Sequence, residues 1–419
     1  MTLVLWAHAK VNPGLRVCGR LPGGYHELDI LFHSICLADR VEITVRPGEG
    51  LVLEVDGPFA RQVPQDRAPE DNLACQAAVA FARWAAQQLA EGQAHSRGKA
   101  VAGPQWAGPS RAPAAGQVEA GARALRAVLG GAVTLRLTKN IPAQAGLGGG
   151  SADAAAVLRG LALLWQKKEG LAVPGSALAA MAQSLGADVA FCLQGGAARG
   201  RGRGDVLEQL PTAPAWWVVL ARPPVGLGTA DVYKAWDSLP RPNETGEEAG
   251  PLSCGAAGPR TNPRFAGAGG ALPGPTDSDL GRIVDAWRRG DLAAFSSSVF
   301  NDLQEPALRL CPQIGAVRAA LLAAGAPFAL VAGSGTTVWT ACSGQDEALD
   351  IARRLQSWSG AGGAAPVPAG TWVALSRLCE QGVVVAAGEQ TGAEAGEGVH
   401  EQQVPESAPV PAPVASSEE

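Results

Sequence analysis

Residues 141–158 read IPAQAGLGGGSADAAAVL, with Gly146, Gly148, Gly149 and Gly150 crowded into five positions and an alanine-rich run directly behind them. Just upstream, AVTLRLTKN (132–140) alternates, with Val133, Leu135 and Leu137 on one face, the period of a half-buried strand. Pro142 ends that strand. The chain therefore passes from strand to helix through a loop nearly free of side chains. One physical reading is anion binding: the first N–H groups of a helix lack internal partners, the helix dipole is positive there, and glycine lets a phosphate approach the backbone. The other is a flexible turn, since a chain with 54 glycines clusters some by chance. On these residues alone both readings stand.

A chain of 419 residues, 47% hydrophobic, is long enough for two domains with sizeable cores. A net charge of −5 gives no support to a nucleic-acid or anionic-membrane partner. The eight cysteines are scattered, with no C-x-x-C pair, which argues against a zinc site or a secreted disulfide framework and fits reduced thiols in a cytoplasmic protein. MTLVLWAHAK is too short an apolar opening for a signal peptide, and no run of about 18 apolar residues predicts a membrane span.

RVEITVRPG and GLVLEVDG read as strands with Pro/Gly ends, and Asp71-Asn72-Leu73 opens an apolar helical run through Leu89. Residues 92–121 and 240–278 are rich in small residues and proline without a period, and are expected to be insertions; 389–419 is expected to be a disordered tail. A helix is expected from about Ser176 to Leu185, stopped by Gly186. WWVVLARP (216–223) starts a second domain, so the expected division is 1–213 and 214–388. Helical patterns resume at 279–296 and 312–324. FALVAGSGTTVWTAC (328–342) reads as strand, turn, strand.

The glycine loop matches neither common nucleotide fingerprint: no lysine follows it, and the third glycine of G-x-G-x-x-G would be Ser151 or Asp153. P-x-x-x-G-L-G-G-G-S instead resembles the phosphate loop of the GHMP kinases, the small-molecule kinases that include galactokinase, homoserine kinase and mevalonate kinase. AHAKVNPGLRVCGRLPGGYHEL (7–28) and SLGADVAFCLQGGAARGRGRGDVLEQL (184–210) resemble the branch of that family acting on 4-diphosphocytidyl-2-C-methyl-D-erythritol, and LVAGSGTTVW (330–339) resembles the family's Gly-Ser-Gly motif. His8 departs from the proline usual there.

The resemblance implies a two-domain α+β kinase: an N-terminal domain like ribosomal S5 domain 2 and a ferredoxin-like C-terminal domain, with the site between them. It implies that ATP, with Mg²⁺, phosphorylates the 2-hydroxyl of that cytidine diphosphate-linked alcohol in the non-mevalonate isoprenoid route. Lys10 and Asp188, taken alone, would pass as a surface charge and a turn residue; the family makes Asp188 the base and sets Lys10 beside it. Pro142, Gly146, Leu147, Gly148, Gly149, Gly150 and Ser151 would hold the triphosphate, and Ser151 is a candidate Mg²⁺ contact although it also stands where a helix cap belongs. Asn72 and Lys139 match positions near the adenine. Asn12, Tyr25, His26, Phe32, Thr229 and Tyr233 would form the substrate side, with Tyr233 stacking on the cytosine. Gly333, Ser334 and Gly335 would close the phosphate region. The partners implied are small molecules, with no nucleic acid or membrane, in a monomer or homodimer. Two rivals remain: a GHMP kinase for another alcohol, and a non-catalytic nucleotide-binding protein on a decayed kinase.

Overall fold

A computed structural model describes residues 1–63, 71–96, 117–239, 277–358 and 367–386. In chain order the first half holds β1 (Thr2–Arg20), β2 (His26–Arg46), β3 (Leu51–Asp56), α1 (Leu73–Ser96), α2 (Gln117–Leu129), β4 (Ala132–Thr138), α3 (Gly149–Glu169), α4 (Gly175–Leu185), α5 (Ala187–Gln194), β5 (Ala197–Gly202) and β6 (Val206–Leu210). The second holds β7 (Trp217–Arg222), α6 (Thr229–Asp237), α7 (Asp277–Arg288), α8 (Leu292–Ser298), β8 (Phe300–Asn301), α9 (Gln304–Leu310), α10 (Pro312–Ala323), β9 (Leu330–Val331), β10 (Val338–Cys342), α11 (Gln345–Trp358), β11 (Trp372–Arg377) and β12 (Val383–Val385).

Among the described residues these form two sheets. The larger runs β12-β1-β2-β4-β3, with β5 and β6 continuing from β2 and β8 joining β1; the smaller runs β11-β7-β10-β9. The parallel pair β3–β4 is linked through α1 and α2, a β–α–β unit. Two strands from the second half, β8 and β12, return to pair with β1. His8 helps anchor that return. Its backbone N–H donates to Gly382 O at 3.1 Å, and its Nδ1 bonds the same oxygen at 2.8 Å. The departure from proline is therefore a packing device, and burial lowers the imidazole's pKa.

The expected strand-loop-helix is present. Val133, Leu135 and Leu137 are buried on β4 while Arg136 is exposed. Helix α3 is buried on nearly every side because it packs on β1 and β2 and against α1 and α5. Its alanines let it lie close. At Gly160 even a methyl would fall 2.5 Å from Ile43 Cδ1 and 2.9 Å from Leu5 Cδ1. Two expectations change at the edges of the first insertion: residues 92–96 complete α1 and 117–121 begin α2. The rest of that insertion, nearly all of 240–278 and the tail lie outside the described residues. Cys36, Cys75, Cys192, Cys311, Cys342 and Cys379 are not in disulfides, whereas Cys18 is disulfide-bonded, against the expectation of reduced thiols throughout.

A buried ion cluster anchors the chain between β4 and α3. Asp39 of β2 accepts the N–H groups of Asn140 and Ile141 on Oδ1, at 2.6 and 2.8 Å, and its Oδ2 meets the Lys139 ammonium. Lys139 also donates to Asp153 Oδ2 of α3 at 2.5 Å. Two carboxylates facing one ammonium away from water is a costly arrangement. Desolvation, with repulsion from Asp153, outweighs the attraction of Lys139 and pushes the Asp39 carboxyl up to about 8. A folded-state pKa above the unfolded one means the native protein holds an extra proton. The resulting stability is full below about pH 4 and is lost as pH rises through about 8. Chemical denaturation between pH 5 and 8 should therefore show stability falling with pH, and Asp39→Asn should flatten that slope. An equal slope in the variant would place the proton elsewhere.

Candidate active site

β1 carries Lys10, whose side chain is 4% exposed. Its backbone N–H donates to Leu147 O at 3.0 Å, tying the strand to the glycine loop. Its Nζ donates to Asn12 Oδ1 at 2.8 Å and lies 3.3 Å from Asp188 Oδ2. Asn12 is itself buried and donates from Nδ2 to Leu31 O at 3.2 Å, so it orients the ammonium from beneath. Asp188 is the second residue of α5, where the helix dipole favours a negative charge, and its side chain is 37% exposed. Gly186 does end α4 as expected, but in extended backbone (φ 164°), and α5 starts at the next residue. A largely buried cation thus faces a carboxylate open to a ligand. Phe32 lies under this pair, with its ring centroid 5.9 Å from Lys10 Nζ, and it stacks on Phe191 at 4.8 Å.

Gly146 (φ 79°) and Gly148 (φ 75°) both take the left-handed backbone that side chains disfavour. Gly148, not Ser151, is the N-cap of α3; it has no side chain to cap with, and Ser151 is the third helical residue. The first N–H groups of α3 thus meet no capping side chain. The β9–β10 turn presses against this loop. A Cβ on Gly146 would sit 1.8 Å from Ala332 O, and one on Gly335 would sit 2.0 Å from Gly146 N. Thr337 N donates to Ala145 O at 3.2 Å. Arg222 of β7 donates from Nη2 to Ala143 O at 3.1 Å and from Nε to Thr336 Oγ1 at 3.2 Å. Asn301 of β8 donates to the carbonyls of Val331 and Gly333 at 2.8 and 2.7 Å. A Cβ on Gly333 would lie 3.2 Å from Lys10 Nζ, so this turn reaches the ammonium.

Ser334 Oγ donates to Thr229 Oγ1 at 2.9 Å, which joins the turn to the first residue of α6. Further along α6, the ring of Tyr233 stacks on that of His26 (centroids 4.5 Å, 22° between planes). The phenol's pKa is driven up by burial and by the charge of Asp188. His26 Nε2 bonds Asp237 Oδ1 at 2.9 Å, and Asp237 also pairs with Arg20. Tyr25 is 58% exposed at the β1–β2 turn, with the Arg203 guanidinium 5.3 Å over its ring.

Lys10, Asn12, Asp188, the glycine loop, Gly333, Ser334, Gly335, Thr229, His26 and Tyr233 therefore gather along one seam between the two sheets. Other expected residues do not offer themselves to a ligand. Lys139 is buried and its ammonium is spent on Asp39 and Asp153. Asn72 caps α1, accepting the N–H of Ala74 at 2.9 Å. Phe32 is 1% exposed, and Pro142 and Leu147 are buried, leaving only their backbone. One ring face of Tyr233, expected to stack on the cytosine, is occupied by His26. Asp237, Arg20 and Arg222 went unnoticed in the sequence. Asp237, four residues after Tyr233 and so on the same helical face, carried the one local signal. Among the described residues no group of three or more His, Cys, Asp or Glu could hold a metal ion, and no helix is long and apolar enough to cross a membrane.

The contact of Gly335 with Gly146 is backbone on backbone, so no flexible side chain can yield to a substituent. Gly335→Ala should cost about 1–3 kcal/mol, the usual price of overpacking, or more, and lower the melting temperature. Gly344→Ala, where the methyl meets nothing within 4 Å, should not. Equal melting temperatures for Gly335→Ala and wild type would mean that the loop and the turn do not touch in solution.

The GHMP kinase N-terminal domain model matches residues 117–196, and the GHMP kinase C-terminal model matches 283–360. A 4-diphosphocytidyl-2-C-methyl-D-erythritol kinase of Moorella thermoacetica is 35% identical over 354 residues, covering 84% of this chain and 95% of the relative. Among solved structures, a 4-(cytidine 5′-diphospho)-2C-methyl-D-erythritol kinase superposes with a TM-score of 0.53 at 28% identity, covering 90% of this chain and all of the other. A homoserine kinase from Cytophaga hutchinsonii gives 0.57 at 18% identity, covering 92% and 97%, a likeness of fold alone. The protein is thus a two-domain α+β chain that belongs to the GHMP kinase family, alongside the 4-diphosphocytidyl-2-C-methyl-D-erythritol kinases.

Proposed function

We propose that this protein transfers the γ-phosphoryl group of ATP to the 2-hydroxyl of 4-diphosphocytidyl-2-C-methyl-D-erythritol, giving ADP and the 2-phosphate, as a cytoplasmic step of the non-mevalonate route to isoprenoid precursors. The observation that carries it is the Lys10–Asp188 pair at 3.3 Å, set beside a left-handed glycine loop in a chain whose relatives bear that kinase name.

In this reading the triphosphate lies along Gly146 to Ser151, where the uncapped N–H groups and dipole of α3 favour an anion. Asp188 orients the substrate hydroxyl and accepts its proton as the oxygen attacks phosphorus. Lys10, 3.3 Å from Asp188, offsets charge developing on the transferred group. Asn12 fixes that ammonium, so little reorganisation accompanies the reaction. Gly333 to Gly335 close the phosphate region from the second sheet. Mg²⁺ usually binds through one or two protein ligands plus substrate phosphates, so the lack of an acidic cluster among the described residues suits a metal that arrives with the nucleotide, with Ser151 as its candidate protein contact. It would neutralise phosphate charge. On the substrate side, Tyr25 offers an exposed ring for a base and His26 a polar edge, with Tyr233 behind His26 as support.

The test is ADP release with ATP and a panel of alcohols. Release should occur with the cytidine diphosphate-linked methylerythritol and not with homoserine or mevalonate. Release with either of the latter alone would make this a GHMP kinase of other specificity, and no release with any would favour a non-catalytic nucleotide-binding protein.

A further inference from the structure

His26 is held on three sides. Tyr233 covers one ring face at 4.5 Å, Trp236 meets it edge-on at 5.6 Å and 90°, and Asp237 Oδ1 takes Nε2 at 2.9 Å. All three come from α6, the helix whose first residue is tied by Ser334 to the turn beside Lys10. Asp237 is fixed in turn by Arg20, at the end of β1, and these contacts hold its carboxyl below the usual range despite some burial. The carboxylate is therefore an acceptor, and Nε2 must be the nitrogen that donates to it. Nδ1 makes no hydrogen bond to any described residue.

We propose that Asp237 is a positioning residue for the substrate's base: it accepts the Nε2 proton of His26 and thereby leaves Nδ1 as a hydrogen-bond acceptor that only a base bearing an N–H donor at that edge can satisfy. The inference rests on the reading of His26 as part of the base pocket. Its chemistry follows from imidazole having two distinct nitrogens: fixing the proton on one fixes the role of the other. A cytosine brings an exocyclic amino group. A uracil brings a carbonyl oxygen in the same place, and two acceptors would face each other across a partly buried contact. A site left with such an unpaired group rejects the wrong partner strongly. Arg20 has no part in reading the base; it keeps Asp237 charged and aimed. The aromatic rings on either side prevent the imidazole from turning over and exchanging its two nitrogens.

Two measurements test this on the full-length protein. The first is the ¹⁵N spectrum of His26, assigned by its loss in His26→Gln. It should show the neutral imidazole protonated on Nε2 in the wild type, and a shift of the proton toward Nδ1 in Asp237→Asn, whose amide can donate to Nε2. A wild-type imidazole protonated on Nδ1 overturns the proposal. The second is steady-state kinetics with ATP and either the cytidine substrate or its uridine counterpart. Asp237→Asn should raise KM for the cytidine substrate about tenfold, as expected when the base's N–H donor is left facing another donor. It should leave kcat within about threefold and the KM for ATP unchanged, and narrow the preference for cytidine over uridine. A general folding defect would not alter the choice of base. Asp237→Glu, which keeps the carboxylate, should recover part of that preference. A wild type that uses both bases equally overturns the base-pocket reading. A wild-type preference that survives Asp237→Asn unchanged overturns the role of Asp237 while leaving that reading intact.

Discussion

The placement of one ammonium group, that of Lys10, organises the rest of this structure. A lysine side chain 4% exposed keeps its charge only if its surroundings return what water gave it. Here Asn12 Oδ1 and the Asp188 carboxylate do so, and each is supplied by a different part of the chain. The strand bearing Lys10 is bonded to the glycine loop at Leu147 O, and the turn of the smaller sheet reaches the same ammonium at Gly333. The glycine loop, Asp188 and the Gly333 turn therefore share a single reference point. Gly148 marks how tight this is, since a Cβ there would already touch the Lys10 stem at 3.1 Å.

Around that point the glycines act by absence. Gly146 and Gly335 let two backbones from different sheets come into contact, and Gly148 lets α3 begin without a capping side chain. Below the loop the Asp39–Lys139–Asp153 cluster pins the incoming strand to the first turns of α3. The glycine loop is thus held from underneath, and a site set in advance of its ligand is what electrostatic stabilisation of the proposed phosphoryl transfer would require.

Much of this was legible in the sequence wherever the signal is local. The alternation of 132–140, the glycine run and the alanine run gave strand, loop and helix, and the spacing of Lys10 and Asn12 put them on one face. The pairing of Lys10 with Asp188 spans most of the N-terminal half and entered only through resemblance to a family. The failures have physical causes. A left-handed glycine capped α3 three residues before the polar cap expected at Ser151. The low-complexity composition around 117–121 concealed α2, an amphipathic helix that packs on α1. Lys139, read as a ligand contact, is neutralised by Asp39 and Asp153, and no local pattern joins those three positions. Tyr233, expected to stack on the cytosine, has one ring face stacked on His26, a contact between residues far apart in the chain.

The central claim is that Lys10 and Asp188 work as one catalytic unit. Pre-steady-state phosphoryl transfer from ATP to the cytidine diphosphate-linked alcohol, measured for Asp188→Asn, Lys10→Ala and the double variant with ATP binding followed in parallel, tests it most directly. The account predicts that Asp188→Asn lowers the transfer rate by about 10²- to 10⁴-fold with ATP binding nearly intact, that Lys10→Ala is comparably damaging, and that the double variant is little worse than either. A rate for Asp188→Asn within a few-fold of wild type, or losses that multiply in the double variant, would contradict it.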